Sequence, residues 1–192
     1  MEYQRIGDML LGEGIVTKES LDRVTATQKK SRARLGELLV AMGLATEDQV
    51  TDCLARQYNM PRASLSEVHS EPNALNLVDP FHALSNLILP VKVDGDVLYC
   101  VISDPLDVVL TDELSVALHR RIVTWMAAPT ELYNSIIVSY GMNVPLKAEA
   151  GFVTGATRPG RKKSQHTQED RQALLFALDN AYEFLDRQGL GI

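Results

Sequence analysis

Cysteine is scarce in this chain. Cys53 and Cys100 are the only two in 192 residues, one on an expected helix and one on an expected strand, so the sequence predicts two buried thiols rather than a disulfide or a metal pair. The four histidines, His69, His82, His119 and His166, are scattered, with no cysteine or carboxylate at ligand spacing. No nucleophile elbow and no His-Glu-x-x-His helix occurs. These absences leave no catalytic residue, no metal site and no cofactor to expect, and the chain reads as a non-enzyme. Long apolar runs are missing too: nothing approaches the roughly 18 residues of a membrane span. The opening Met-Glu-Tyr-Gln-Arg also lacks the basic-then-apolar order of a signal peptide. A cytoplasmic protein with no membrane insertion is expected. Positive charge is not in excess. The net charge of −6 argues against general DNA or RNA coating, but not against a small anionic ligand met by a local basic patch. One near-motif fails inspection. Gly155 to Gly160 has the spacing that opens a phosphate-binding loop, but Arg161 stands where lysine is needed. Lys163 falls one place past the Ser/Thr position, and Pro159 removes a backbone N–H from the cradle.

What is present is a duplication. Laying Arg5–Gln28 over Arg34–Gln57 without gaps pairs Arg5 with Arg34, Gly7 with Gly36, Leu10 with Leu39, Gly14 with Gly43, Thr17 with Thr46, Ala26 with Ala55 and Gln28 with Gln57. Average residue usage would give roughly one or two such identities by chance. Each copy reads as a helix pair that needs the other to cover its apolar face. A first short helix carrying Ile6, Met9 and Leu10 stops at Gly14, suited to a left-handed cap, and Thr17 starts a second. In the second copy Gly43 and Thr46 repeat this, with Thr46-x-x-Gln49 as a capping box. Leu21, Thr25 and Gln28, like Val50, Leu54 and Gln57, share one helical face.

Beyond Pro61 the pattern changes. Residues 61–72 are polar and aperiodic and read as a linker. Leu89, Val91 and Val93 alternate, Asp94-Gly95 signals a tight turn, and Val97, Tyr99 and Val101 alternate back, which predicts a β-hairpin. Short helices are expected over 73–77 and 81–87. After Ser103-Asp104-Pro105 a helix should carry Val108, Val109, Leu110, Leu114 and Leu118 on its apolar side. Strand 122–126 and helix 130–140 follow. The expected fold is α+β: a four-helix tandem-repeat subdomain over 1–60, with motifs 5–28 and 34–57, then an α/β sandwich with a three-stranded sheet over 73–141. Composition predicts a disordered linker over 142–167 and an amphipathic helix over 168–189 carrying Leu174, Leu175, Leu178, Tyr182 and Leu185.

A duplicated core needs duplicated leucines and glycines, but packing gives no reason to duplicate an arginine and a glutamine. Arg5 and Arg34 can pair with Asp8 or Glu37 while Gln28 and Gln57 face water. The alternative is a ligand with its own two-fold symmetry. A guanidinium fork suits guanine O6/N7 or a phosphate, and it can stack on a base. Gly7 and Gly36 allow close approach, and the apolar faces of Ile6/Leu21 and Leu35/Val50 could sandwich flat bases. The basic run from Lys29 to Arg34 is either a solvated loop or a local attraction for anions.

At these residues the chain resembles a known family. Arg5-Ile-Gly…Leu10…Gly14…Leu21…Gln28 and Arg34-Leu-Gly…Leu39…Gly43…Val50…Leu54…Gln57 resemble the tandem motif of the MshEN domain, the N-terminal domain of type II secretion and type IV pilus assembly ATPases. Leu89-Pro-Val-Lys-Val-Asp-Gly and Ile102-Ser-Asp-Pro-Leu-Asp are similar to its second subdomain, so the resemblance spans about residues 1–141. It implies a receptor for cyclic di-GMP, with Arg5, Gln28, Arg34 and Gln57 making polar contacts. Ile6, Leu21, Leu35, Val50 and Leu54 would pack on the ligand, with Gly7, Leu10, Gly36 and Leu39 completing the motifs. Thr25 departs from the pattern, where the second copy has Leu54. Asp104 is an expected extra contact to guanine N1 and N2 or, alternatively, a cap for the helix after it. The expected partner is secretion or pilus machinery, or a signalling protein. The alternative function is a docking domain that needs no nucleotide. The family's ATPase module has no counterpart in this sequence, so the chain is expected to be a stand-alone receptor or a fragment of something longer.

Overall fold

A computed structural model describes residues 4–143 apart from 30 and 32. These residues form an α+β fold in the order α1 (Ile6–Gly12), α2 (Lys18–Gln28), α3 (Leu35–Ala41), α4 (Glu47–Gln57), α5 (Pro72–Leu75), α6 (Pro80–Asn86), β1 (Ile88–Asp94), β2 (Val97–Ile102), α7 (Val108–Leu118), β3 (Arg121–Met126) and α8 (Pro129–Ser139). The expected terminal helix 168–189 and nearly all of the 142–167 linker lie outside the described residues, as do Lys30 and Arg32.

Both repeats fold as helix pairs with matching punctuation. Gly14 and Gly43 take φ of +71° and +65°, the left-handed conformation that costs glycine least. Behind each, the broken helix satisfies its last carbonyls in the same way. Ile15 N–H bonds Leu10 O at 3.0 Å and Gly14 N–H bonds Leu11 O at 3.1 Å; Leu44 to Leu39 and Gly43 to Val40 repeat this at 2.9 Å each. Thr17 Oγ1 then accepts from Ser20 N–H, and Thr46 Oγ1 from Gln49 N–H, while Gln49 Oε1 returns to Thr46 N–H at 2.9 Å. The helices pack across copies: α1 lies on α4 and α2 on α3. Their shared core contains Leu10 with its repeat mate Leu39 and Val24 with its mate Cys53, all fully buried. Each buried leucine is worth about 1.5–3 kcal/mol by area.

The second half is a three-stranded sheet in the order β1-β2-β3. The hairpin β1/β2 is antiparallel, and Asp94 pairs with Val97, so the turn residues are Gly95 and Asp96, one position later than the sequence reading placed them. Gly95, at φ +59°, holds the position that needs it. β1 is an edge strand, which accommodates Pro90. Its register slips between Pro90 and Lys92, and there Val91 O accepts instead from Glu71 N–H at 2.8 Å. β3 runs parallel to β2, an arrangement that requires the crossover supplied by α7.

Two expectations need correction. On α7, Leu110 and Leu114 face the core, whereas Val108 and Val109 are 56% and 47% exposed. Consecutive residues on a helix diverge by about 100°, so five apolar residues cannot all share one narrow buried face. The stretch 61–72, expected as a linker, is tied to the rest of the fold at several points. Ala63 N–H bonds Met126 O and Met126 N–H bonds Pro61 O, at 2.8 and 2.9 Å, which lays Arg62 beside β3. Ala63 and Leu65 enter the sheet's core. Composition hid this because only alternate residues face inward.

The two halves also touch through α4. Glu47, in its first turn, accepts from both Thr130 N–H and Thr130 Oγ1 at 2.9 Å, capping α8 from a helix far away in sequence. Arg62 bonds Asp48 at 2.7 Å and Asp52 at 2.8 Å on the same helix. Replacing Glu47 with Ala should therefore lower unfolding stability by about 1–2 kcal/mol, the usual cost of a lost cap, read from urea denaturation midpoints at unchanged m-value. Cys53 and Cys100 are both fully buried, and burial pushes the Cys100 thiol up to about 12. Neither thiol should react with an aromatic disulfide reagent at pH 8 until denaturant is added. Fast labelling of native protein would contradict this packing.

Candidate functional site

Arg5 and Arg34 occupy the residue before α1 and before α3, each in an extended backbone conformation and exposed. They stand where the helix ends expose unsatisfied N–H groups, so both repeats present a cation and a positive helix end together. Immediately inside, the motif glycines bring aliphatic side chains close. A Cβ built at Gly7 would lie 3.2 Å from Leu21 Cδ1 and 3.3 Å from Leu35 Cδ2. One built at Gly36 would lie 2.7 Å from Val50 Cγ1 and 3.9 Å from Ile6 Cδ1.

The two sets of contacts are related by the repeat: Leu21 is the mate of Val50, and Leu35 the mate of Ile6. Each glycine therefore meets the second helix of its own copy and the leading aliphatic residue of the other. That pattern is an approximate two-fold axis between Gly7 and Gly36. The structure brings Ile6, Gly7, Leu21, Leu35, Gly36 and Val50 into one cluster.

The remaining motif residues fall into three positions. Thr25 and Gln28 continue the Leu21 face of α2, and Leu54 and Gln57 the Val50 face of α4; all four are half-buried. Thr25 Oγ1 donates to Leu21 O at 2.8 Å, so its hydroxyl is satisfied by its own helix. Gln28 Nε2 donates to Ala33 O at 3.4 Å. Leu10 and Leu39 lie deeper than the half-buried Ile6, Leu21, Leu35 and Leu54 and than Val50, which is 8% exposed. At zero exposure both belong to the core shared by the two copies.

Asp104 comes from the second half of the chain and is buried. Its Oδ2 pairs with Arg34 Nη1 at 2.6 Å, and its Oδ1 accepts from Leu106 N–H at 3.0 Å. It does not cap α7, whose leading residue is Asp107. Burial opposes the charge on Arg34. The hydrogen bond and charge of Asp104, with the charges of Glu37 and Asp107, outweigh that and hold the guanidinium above its ordinary range.

Glu37 is a residue that the sequence reading noticed only as an ion-pair partner. It accepts from the Arg34 backbone N–H at 3.0 Å, fixing the start of α3. Its place three residues after Arg34 is the spacing of a capping box, a signal available in the sequence. The repeat mate, Asp8, is one methylene shorter, and no corresponding bond to Arg5 N–H exists among the described residues.

The arrangement sets an arginine and a patch of aliphatic side chains from each copy on either side of the approximate two-fold axis. Among the described residues no group of three His, Cys, Asp or Glu side chains is placed to hold a metal, and no helix is long and apolar enough to cross a membrane.

Comparison with known proteins gives the family of this fold. The family profile described as the MshEN domain matches residues 58–143. The type IV pilus assembly ATPase PilB of Myxococcus xanthus is 28% identical over 141 residues, covering 73% of this chain and 25% of that protein. PilB of Thermus thermophilus is 26% identical over 113 residues, covering 58% and 13%. The chain thus spans a quarter or less of these curated relatives. Among solved structures, MshE with cyclic di-GMP superposes with a TM-score of 0.63 at 30% identity, covering 71% of this chain and 99% of that one. The N-terminal domain of XpsE has the same fold, with a TM-score of 0.57 at 20% identity, covering 71% and 96%. Matched by the family profile across its sheet half and by MshE along nearly the whole of that solved domain, the chain belongs to the MshEN domain family.

Proposed function

We propose that the tandem motif binds cyclic di-GMP, and that this non-catalytic, cytoplasmic domain passes the ligand state to a partner in type IV pilus or type II secretion machinery. The observation that carries the reading is the approximate dyad. Two copies of one Arg, Gly, aliphatic and Gln set face each other, and cyclic di-GMP has two guanines and two phosphates related by the same symmetry. The similarity to MshE, solved with this ligand, supports it. Arg5 and Arg34 would engage phosphate or the guanine O6/N7 edge, and Gln28 and Gln57 would supply one donor and one acceptor each. Ile6, Leu21, Leu35, Val50 and Leu54 would cover the bases, with Thr25 giving less apolar contact on its side. Gly7 and Gly36 would allow close approach, while Leu10 and Leu39 support this surface from below.

A docking domain indifferent to nucleotides is the second reading. It is favoured by the profile match at 58–143, which lies outside both motifs. Isothermal titration of the full chain with cyclic di-GMP separates the two. Saturable binding of one ligand unit per tandem motif supports the receptor, and heats indistinguishable from dilution support docking alone.

Arg34→Ala should weaken binding by about 100-fold, the upper range for losing a charged hydrogen-bonding group, while unfolding remains cooperative because the side chain is exposed. Wild-type affinity in this variant would place the ligand elsewhere. Thr25→Leu should strengthen binding several-fold by restoring the apolar position of the second copy, on the order of 1 kcal/mol of contact. Titration of both proteins at one salt concentration measures it. An unchanged affinity would show that Thr25 does not meet the ligand.

A further inference from the structure

We propose that Asp104 is a positioning residue for Arg34, and that it makes the two halves of the site unequal: the second repeat offers an arginine set by an ion pair, and the first an arginine to which the described residues give none. This rests on the cyclic di-GMP reading and adds a division of labour to it.

The first observation is that Asp104 is poorly placed to read a ligand itself. Its side chain is only 9% exposed, and each carboxylate oxygen already has a partner, Leu106 N–H on one and Arg34 Nη1 on the other. A guanine edge taking two bonds from a carboxylate needs both oxygens open at the surface. What Asp104 can do is hold a second group in place. Arg34 is 52% exposed, and the ion pair uses one nitrogen of a guanidinium that carries five donors. The others remain for a ligand, while the bond to Asp104 limits where the guanidinium can sit. Glu37, on the Arg34 backbone N–H, fixes the other end of the residue. Arg34 is held at both ends.

The second observation is that the first repeat has no such anchor. Asp104 lies outside the duplication, in the turn between β2 and α7, so the approximate dyad cannot generate a mate for it. No ion-pair partner for Arg5 exists among the described residues, and Asp8, whose own N–H donates to Arg5 O at 3.0 Å, makes no carboxylate bond to the Arg5 N–H there. An arginine already ordered loses less side-chain freedom when it binds than one that is free, a difference worth several-fold in affinity. A symmetric ligand would therefore meet one rigid and one adaptable half-site.

Asp104→Asn is the informative substitution, since Asn keeps the acceptor for Leu106 N–H and removes the charge facing Arg34. Titration of the full chain with cyclic di-GMP should show D104N several-fold weaker than wild type. That factor should persist in an Arg5→Ala background and vanish in an Arg34→Ala background. Nitrogen-15 relaxation of the arginine Nε–Hε groups without ligand should find Arg34 ordered and Arg5 mobile, with Arg34 becoming mobile in D104N. Tighter binding by D104N would mean that Asp104 competes with the ligand, and would overturn the inference. Equal weakening in the Arg34→Ala background would do the same, since Asp104 would then act without Arg34. Equal mobility of Arg5 and Arg34 in the wild type would also overturn it. No binding by wild type, with Arg34 ordered through Asp104, would instead fail the choice of ligand and leave the anchoring supported.

Discussion

None of the first four helices could stand alone. At seven to eleven residues they fall below the length at which an isolated helix persists in water, about 12–15 residues even for favourable sequences. Their existence depends on burying one shared core, and each copy of the repeat provides only half of it. This requirement sets the rest of the geometry. Leu10, Val24, Leu39 and Cys53, one from each helix, must be covered together; α1 packs on α4 and α2 on α3, so the equivalent surfaces of the two copies face each other. The approximate dyad at Gly7 and Gly36 is the outward side of that same core.

The dyad ends where the repeat meets the sheet. Glu47 caps α8, but its repeat mate Lys18 has the opposite charge and could not accept a hydrogen bond from an N–H. Arg62 holds Asp48 and Asp52, whose mates are Glu19 and Arg23, and no second Arg62 exists. Asp104 reaches Arg34 alone. A duplicated unit docked against an unduplicated one has two equivalent faces and a single partner, so exact symmetry is lost as soon as one face is chosen. Here the second copy is the docked one: Glu47, the Asp48/Asp52 pair and Arg34 each make a polar tie that no repeat mate in the first copy makes among the described residues.

The repeat, its caps and its glycines were legible in the sequence because their determinants are local. A left-handed glycine, a threonine cap and a 3.6-residue period act within one or two turns, and duplication displays each of them twice. The hairpin and the order of elements in the second half were legible for the same reason, apart from a one-residue shift at the turn, where Asp94-Gly95 and Gly95-Asp96 both satisfy the local preference. Less visible were features fixed by contact at a distance. The segment after Pro61 has linker composition, but its backbone N–H and C=O groups complete the ladder beside β3. Val108 and Val109 look like core residues until the sheet decides which side of α7 is covered. Leu10 and Leu39 share the motif with Ile6 and Leu35, and only the crossing of α1 on α4 assigns them to the shared core. Asp104 was singled out for its chemistry, yet no sequence pattern records that its neighbour is Arg34.

α4 is the element on which both halves depend. One face carries Val50, Leu54 and Gln57, while its first turn carries Glu47 and Asp48, bonded to Thr130 and Arg62. A helix of three turns moves nearly as a rigid rod, because bending it means stretching its own backbone hydrogen bonds. Thr130 lies in the first turn of α8, whose Leu132 and Ile136 are fixed in the sheet's core, so that helix cannot follow a tilt without disturbing packed side chains. A change of contact at Val50 or Leu54 must therefore either be resisted by the cap at Thr130 or break it. Short polar bonds of 2.9 Å tolerate only small displacements before they are lost. The junction between α4 and α8 therefore lies on the same helix as one half of the motif, three residues before Val50.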